Sequence, residues 1–224
     1  MDKNMYQSNV SVGVEPTFFG KVMSFFALAM LVSAAGTYVG ANYLMSYFYQ
    51  YPAMMWVLYI GELALIFTSR MWSTKTPINR FLFAAFAFIT GVTIAPLIVS
   101  LTASAAGTAI LFKALGATGL MFGATAIIGY TTKMDLSGMR VFLLTGVVGM
   151  IIVGIIGFFI PWSNTTEMIY SGIGVLLFSA FTAYDFQTIK RYPEDRYIDA
   201  ALNLYLDIFN LFLMILRFMS ANKN

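Results

Sequence analysis

Apolar residues run along this chain in seven long stretches, separated by short polar connections, with neither the strict alternation of a half-buried strand nor the narrow apolar stripe of a helix on a soluble core. The stretches extend from Val22 to Leu44, Ala53 to Ser69, Phe81 to Leu101, Ala109 to Thr131, Val141 to Ile160, Met168 to Phe186 and Ala200 to Met219. A hydrocarbon core about 30 Å thick needs roughly 20 apolar residues in helical form. The pattern therefore predicts an all-α integral membrane protein, a single membrane domain over residues 1–224 built as a seven-transmembrane-helix bundle. The second stretch is the shortest and is interrupted by Glu62, yet spans with little tilt. The first lacks a small-residue cleavage pattern and exceeds a signal-peptide core in length, so it is expected to be retained.

Composition agrees with this reading. Of 224 residues, 59% are hydrophobic and only 10% charged, whereas a soluble domain carries about 25% charged residues. There is no Cys and no His, which excludes disulfides, thiolate nucleophiles, zinc–cysteine sites, a serine–histidine triad and an imidazole pH switch. The positive net charge of +3 does not signal nucleic-acid binding, because the 13 basic residues form no patch on a soluble face.

Their distribution instead sets an orientation. Lys3, Lys21, Arg70, Lys75, Arg80, Lys133, Arg140, Lys190, Arg191 and Arg196 fall on the side of the N-terminus, against Lys113, Arg217 and Lys223 on the other. Cytoplasmic connections carry the basic excess, so the N-terminus is expected in the cytoplasm and the C-terminus outside. Gly36 with Gly40, Gly119 with Gly123, and Gly146, Gly149, Gly154 and Gly157 read as seams of close helix packing rather than a phosphate loop. Pro96 is expected to kink the third span and Pro161 to end the fifth.

Three carboxylates lie within the spans: Glu62, Asp185 and Asp207. An ionised carboxylate at a helix centre costs about 2.5–3.5 kcal/mol on the insertion scale, so such groups face a protein interior or a water cavity and mark ion or proton pathways. The structural alternative is a protonated carboxyl bonded to a neighbouring helix. On the last helix Asn203, Asp207, Asn210, Met214 and Arg217 share one stripe at 3.6-residue spacing, which makes that helix a candidate for the bundle centre. On the sixth, Ser171, Gly174, Phe178, Thr182 and Asp185 form a comparable stripe. The short connection after Phe186 brings Asp185 and Asp207 to similar depth. Two close carboxylates in a low dielectric cannot both ionise cheaply, so the pair titrates as a unit. It forms a pH sensor without histidine, and its oxygens suit a hard cation such as Ca²⁺. Glu62 is either a way-station for a cation or a structural partner. Arg70 either snorkels to headgroups or reaches the carboxylate pair.

The segments Ala183-Tyr184-Asp185, Gln187 to Lys190 (QTIK) and Ala201 to Arg217 (ALNLYLDIFNLFLMILR) closely resemble the ending of the Bax inhibitor-1 family, the transmembrane Bax inhibitor motif proteins. Thr90 to Pro96 (TGVTIAP) resembles that family's third-helix motif. The resemblance implies a seven-helix bundle with the last helix in the middle, acting as a pH-sensitive Ca²⁺ leak. It also implies that Asp185 and Asp207 form the protonation-coupled pair, and that an arginine of the second helix, for which Arg70 is the nearest candidate, binds it. Short termini and full coverage point to a bacterial plasma-membrane member. The expected partners are the lipid bilayer, calcium ions and protons, with no nucleic acid and no cofactor beyond calcium as transported or bound species. No enzymatic activity is expected. No GxxxxGK[ST] sequence occurs, which disfavours a nucleotide-driven pump. An intramembrane aspartyl protease also uses two aspartates, but Asp207 lies in Leu-Tyr-Leu-Asp rather than Gly-x-Gly-Asp. The remaining alternative is a stress-related membrane interaction protein without primary transport activity.

Overall fold

The computed structural model describes residues 17–222, which form helices joined by short connections. Seven principal helices are numbered here in chain order: α1 (Phe18–Gln50), α2 (Ala53–Phe67), α3 (Ile78–Thr102), α4 (Ala105–Thr131), α5 (Met139–Phe159), α6 (Asn164–Thr188) and α7 (Tyr197–Ala221). Six of them are long and apolar enough to cross a bilayer; α2, with 15 residues, is shorter. The second stretch was expected to run to Ser69, but the helix ends at Phe67. The Thr68 hydroxyl donates to the Ala64 carbonyl at 2.6 Å and its backbone sits at φ −91°, ψ 0°, after which a single separate turn covers Ser69–Trp72. In contrast, α1 outruns its expected bounds, because Thr17 caps its start by accepting from the Gly20 N–H at 3.2 Å and a wide π-type turn at Gly40–Leu44 carries the helix on to Gln50. Ser104 and Ser163 cap α4 and α6 in the same way, at 3.0 and 3.2 Å. Pro161 lies in the break after α5, as its lack of an N–H requires.

Large apolar side chains such as Leu31, Phe67, Leu120, Phe142, Phe159 and Leu176 point outwards, an arrangement that costs nothing in hydrocarbon. Inside, α7 touches α1, α3, α4 and α6 and carries Ile198, Ala201, Leu204, Tyr205 and Leu211 fully buried. Tyr205 anchors it: its ring meets Phe83 and Phe86 edge-on at 6.1 and 5.8 Å, and its hydroxyl donates to the Ser33 Oγ of α1 at 3.0 Å. Burying the phenol without that acceptor would leave a costly unpaired group.

Small residues let the backbones approach, though not at all the positions the sequence suggests. Gly36, Gly40 and Gly91 join α1 to α3, and a Cβ on Gly91 would collide with the Ser33 carbonyl. Gly129 of α4 lies equally tight against the Ala183 carbonyl of α6. Gly146, Gly154 and Gly157 face Leu177, Tyr170 and Trp162, while Gly119, Gly123 and Gly149, expected in seams, have open space where a side chain would stand. Spacing places small residues on a helix face but does not say whether another backbone reaches that face.

The start of α1 and the connections α2–α3, α4–α5 and α6–α7 meet at one end of the bundle. There Phe19 contacts Tyr130 and Phe186, Phe18 stacks on Tyr192, and the Arg80 Nε donates to the Tyr197 hydroxyl at 3.1 Å. The end of α7 lies at the opposite end, where Arg217 pairs with Glu167 at the start of α6. Lys3 and Lys223 lie outside the described residues.

Gly91→Leu should lower the thermal midpoint of the protein in nanodiscs, with an overpacking cost of about 1–3 kcal/mol or more, whereas Gly119→Ala should leave it within error. Equal midpoints for Gly91→Leu and the parent would contradict the α1–α3 seam.

Candidate functional site

Asp185 stands in the last turn of α6, where its carbonyl accepts the Ile189 N–H that closes the helix. Eight residues, 189–196, return the chain to α7, and Asp207 follows ten residues beyond Tyr197, about 15 Å along that helix at 1.5 Å per residue. The two carboxyls line one cavity and lie close enough for each to act on the other's charge. Asp207 is only 5% exposed, and its Oδ2 is sealed from solvent with no donor among the described residues.

The pair lines a cavity of about 610 Å³ between α5, α6 and α7. Asn203 and Asn210 line it too; the Asn203 Nδ2 donates to the Tyr192 hydroxyl at 3.0 Å and the Asn210 Nδ2 to the Leu206 carbonyl at 2.8 Å. Burial, with the Asp185 carboxylate nearby, pushes the Tyr192 hydroxyl in the α6–α7 connection up to about 12, so it stays neutral. Arg140, Arg191 and Arg196 line the same cavity from α5 and the connection.

Of the residues singled out in the sequence, Asp185, Asp207, Asn203 and Asn210 are thus brought together. Glu62 and Arg70 are not among them. Glu62 accepts the Thr93 Oγ1 hydrogen bond at 2.7 Å across the α2–α3 contact, and Arg70 sits exposed on the turn after α2. The arginine whose charge acts on Asp185 is Arg140. The last members of the α7 stripe face away from this cavity: Met214 packs at Gly174 of α6, and Arg217 makes a two-point ion pair with Glu167 between the rings of Trp162 and Tyr170, at 5.3 and 5.0 Å. Arg140 carried no signal in the sequence beyond its place among the basic connection residues.

A polar clasp fixes the end of α6. The Gln187 side chain accepts the Leu136 N–H at 2.8 Å and donates to the Met134 carbonyl at 2.6 Å. The Lys190 ammonium donates to the Tyr130 carbonyl and lies 4.1 Å from that ring, and Arg191 donates to the Ser137 Oγ at 2.6 Å. Donors from Ser137 hold the exposed Asp135 carboxyl below its ordinary value. Its contact with Arg191 at 3.5 Å is therefore complete above the ordinary carboxylate range and is lost as pH falls through the lowered value. Among the described residues no group of three or more His, Cys, Asp and Glu side chains comes together.

A helical membrane protein with two carboxyls lining one cavity between its helices is the class this geometry defines. The profile of the family described as inhibitor of apoptosis-promoting Bax1 matches residues 15–224, and the chain belongs to that Bax inhibitor-1 family. Similar proteins include an uncharacterized protein of Helicobacter pylori, 32% identical over 90% of this chain and 85% of its own length. The inner membrane protein YbhL of Escherichia coli is 29% identical over 90% of both chains, and mouse protein lifeguard 4 is 28% identical over 96% of this chain and 89% of its own.

Gln187→Ala removes the two bonds that this side chain gives the clasp and should destabilise the α4–α5 connection by about 1–3 kcal/mol. Amide hydrogen exchange at Leu136 should quicken by the corresponding factor; unchanged exchange would show that the clasp holds nothing.

Proposed function

We propose that the protein is a pH-sensitive calcium leak of a bacterial plasma membrane, gated by protonation of Asp185 and Asp207. The observation that carries this reading is that two carboxyls face one cavity within an otherwise apolar bundle. In the closed state the pair shares a proton and holds α6 against α7. Loss of that proton leaves two negative charges in contact; unit charges about 4 Å apart repel by about 4 kcal/mol at an effective dielectric of about 20, enough to loosen one helix contact. Ca²⁺ arriving from the cavity replaces the proton as a bridge between carboxylates, and its flexible oxygen coordination suits two Asp groups with Asn203 and Asn210 beside them. Arg140, rather than Arg70, is the cation placed to attract the ionised pair and reclose it. Flow is passive, down the gradient.

In this reading α2 crosses the membrane as the seventh span, assisted by the turn Ser69–Trp72, and α7 occupies the centre. The N-terminus faces the cytoplasm, where the basic connections gather, and the C-terminus faces outside.

Ca²⁺ flux from liposomes containing the purified protein should rise with pH as the pair loses its proton, and Asp185→Asn and Asp207→Asn should each flatten that dependence. Flux equal to that of empty liposomes at every pH would end the leak reading, while a parent-like pH profile in both variants would end the gate assignment alone. Accessibility tags on the two termini should report opposite faces of the membrane; the same face for both would rule out an odd number of spans.

A further inference from the structure

The cavity above the carboxyl pair has a chemistry that the pair does not explain. Arg140, Arg191 and Arg196 approach it from two separate elements, the start of α5 and the α6–α7 connection, and all three side chains are exposed. Their acidic partners are few and distant. Arg191 reaches Asp135 at 3.5 Å in a solvent-exposed contact of the kind that contributes little, and Arg196 reaches Asp199, whose side chain is largely buried, only at 4.0 Å. Arg140 forms no ion pair within 4.0 Å among the described residues. The acidic groups lining the cavity are Asp185 and Asp207, so three guanidinium groups stand against two carboxyls and the lining carries positive charge in excess. Below the rim the walls are apolar, built from Leu144, Val147, Phe178 and Leu206.

We infer that the three arginines form a binding site for a phosphate group carried by an anion that enters this cavity. Guanidinium forks match phosphate oxygens two at a time and hold the anion by charge-assisted bonds, and three of them facing one space repel each other until such an anion arrives. The apolar walls accept an apolar group attached to that phosphate. The same chemistry is offered by a soluble phosphate compound arriving from the aqueous side and by the headgroup of an anionic phospholipid sliding between α5 and α7 with its acyl chain along Leu144 and Val147. The inference does not depend on the leak, because it concerns binding alone.

Calorimetric titration of inorganic pyrophosphate into the full chain, held at low salt in nanodiscs of phosphatidylcholine, tests the soluble source. Retention of phosphatidylglycerol by the same protein in native mass spectrometry tests the lipid source. Saturable binding in either arm, weakened about tenfold or more in the triple variant Arg140→Gln, Arg191→Gln, Arg196→Gln, is the expected result, and the arm that responds names the source. Arg70→Gln, outside the cavity, should change neither arm. Should the triple variant fail to fold, Arg140→Gln alone should weaken binding several-fold, since that arginine supports no ion pair in the free protein. The absence of saturable binding in both arms, equal binding by parent and arginine variants, or an equal loss in Arg70→Gln would overturn the inference.

Discussion

Two carboxyl groups that touch in a medium with little water to screen them hold a proton between them or part company. Asp185 and Asp207 face one cavity, and in the proposed gate they meet this choice. Residues 205 and 207 project from nearly opposite sides of α7. One side is held by Tyr205, which is wedged between Phe83 and Phe86 and bonded to Ser33. The other presents Asn203, Asp207 and Asn210 to the cavity. The helix is therefore fixed on the side away from the carboxyls, so a change in their charge falls on the α6–α7 contact.

The same economy governs α6. Its start is tied to the far end of α7 by the Glu167–Arg217 pair, and its finish is tied to the α4–α5 connection by Gln187, Lys190 and Arg191. Between these fastenings its backbone lies against α4 at Gly129, where no side chain intervenes. An element pinned at both ends responds to repulsion at Asp185 by bending or by releasing its clasp. The clasp is made of a few polar bonds, buried at Gln187 and exposed at Lys190 and Arg191, whereas the α4 contact is close backbone packing.

Much of this was legible in the chain itself, because a bilayer forces a simple code: apolar length specifies a helix, and a carboxylate inside such a length stands out against it. Asp185 and Asp207 stand out by that contrast, and the short connection between their helices brings both to one cavity. Residues whose importance comes from distant partners gave no such contrast. Arg140 belongs to a different helix from either aspartate, and nothing in its neighbours separates it from Arg70, which follows the second stretch with an equally basic surrounding. Gly91 and Gly129 matter because another backbone crosses them, while Gly119 and Gly123, with the more regular spacing, face open space. For Glu62 the chain left open a way-station for a cation or a structural partner, and the Thr93 hydroxyl it accepts from is a contact between adjacent helices that no local pattern announces.

The proposed gate stands on one event, loss of a shared proton coupled to passage of Ca²⁺, and one measurement follows both halves at once. Infrared difference spectra of the proteoliposomes, recorded across a pH series alongside Ca²⁺ flux, report the protonated-carboxyl band directly, with Asp185→Asn and Asp207→Asn assigning it. The mechanism predicts that the band disappears over the same pH interval in which flux rises, and that both variants lose the band and the rise together. A band that stays constant while flux changes, or that titrates while flux stays flat, would contradict it.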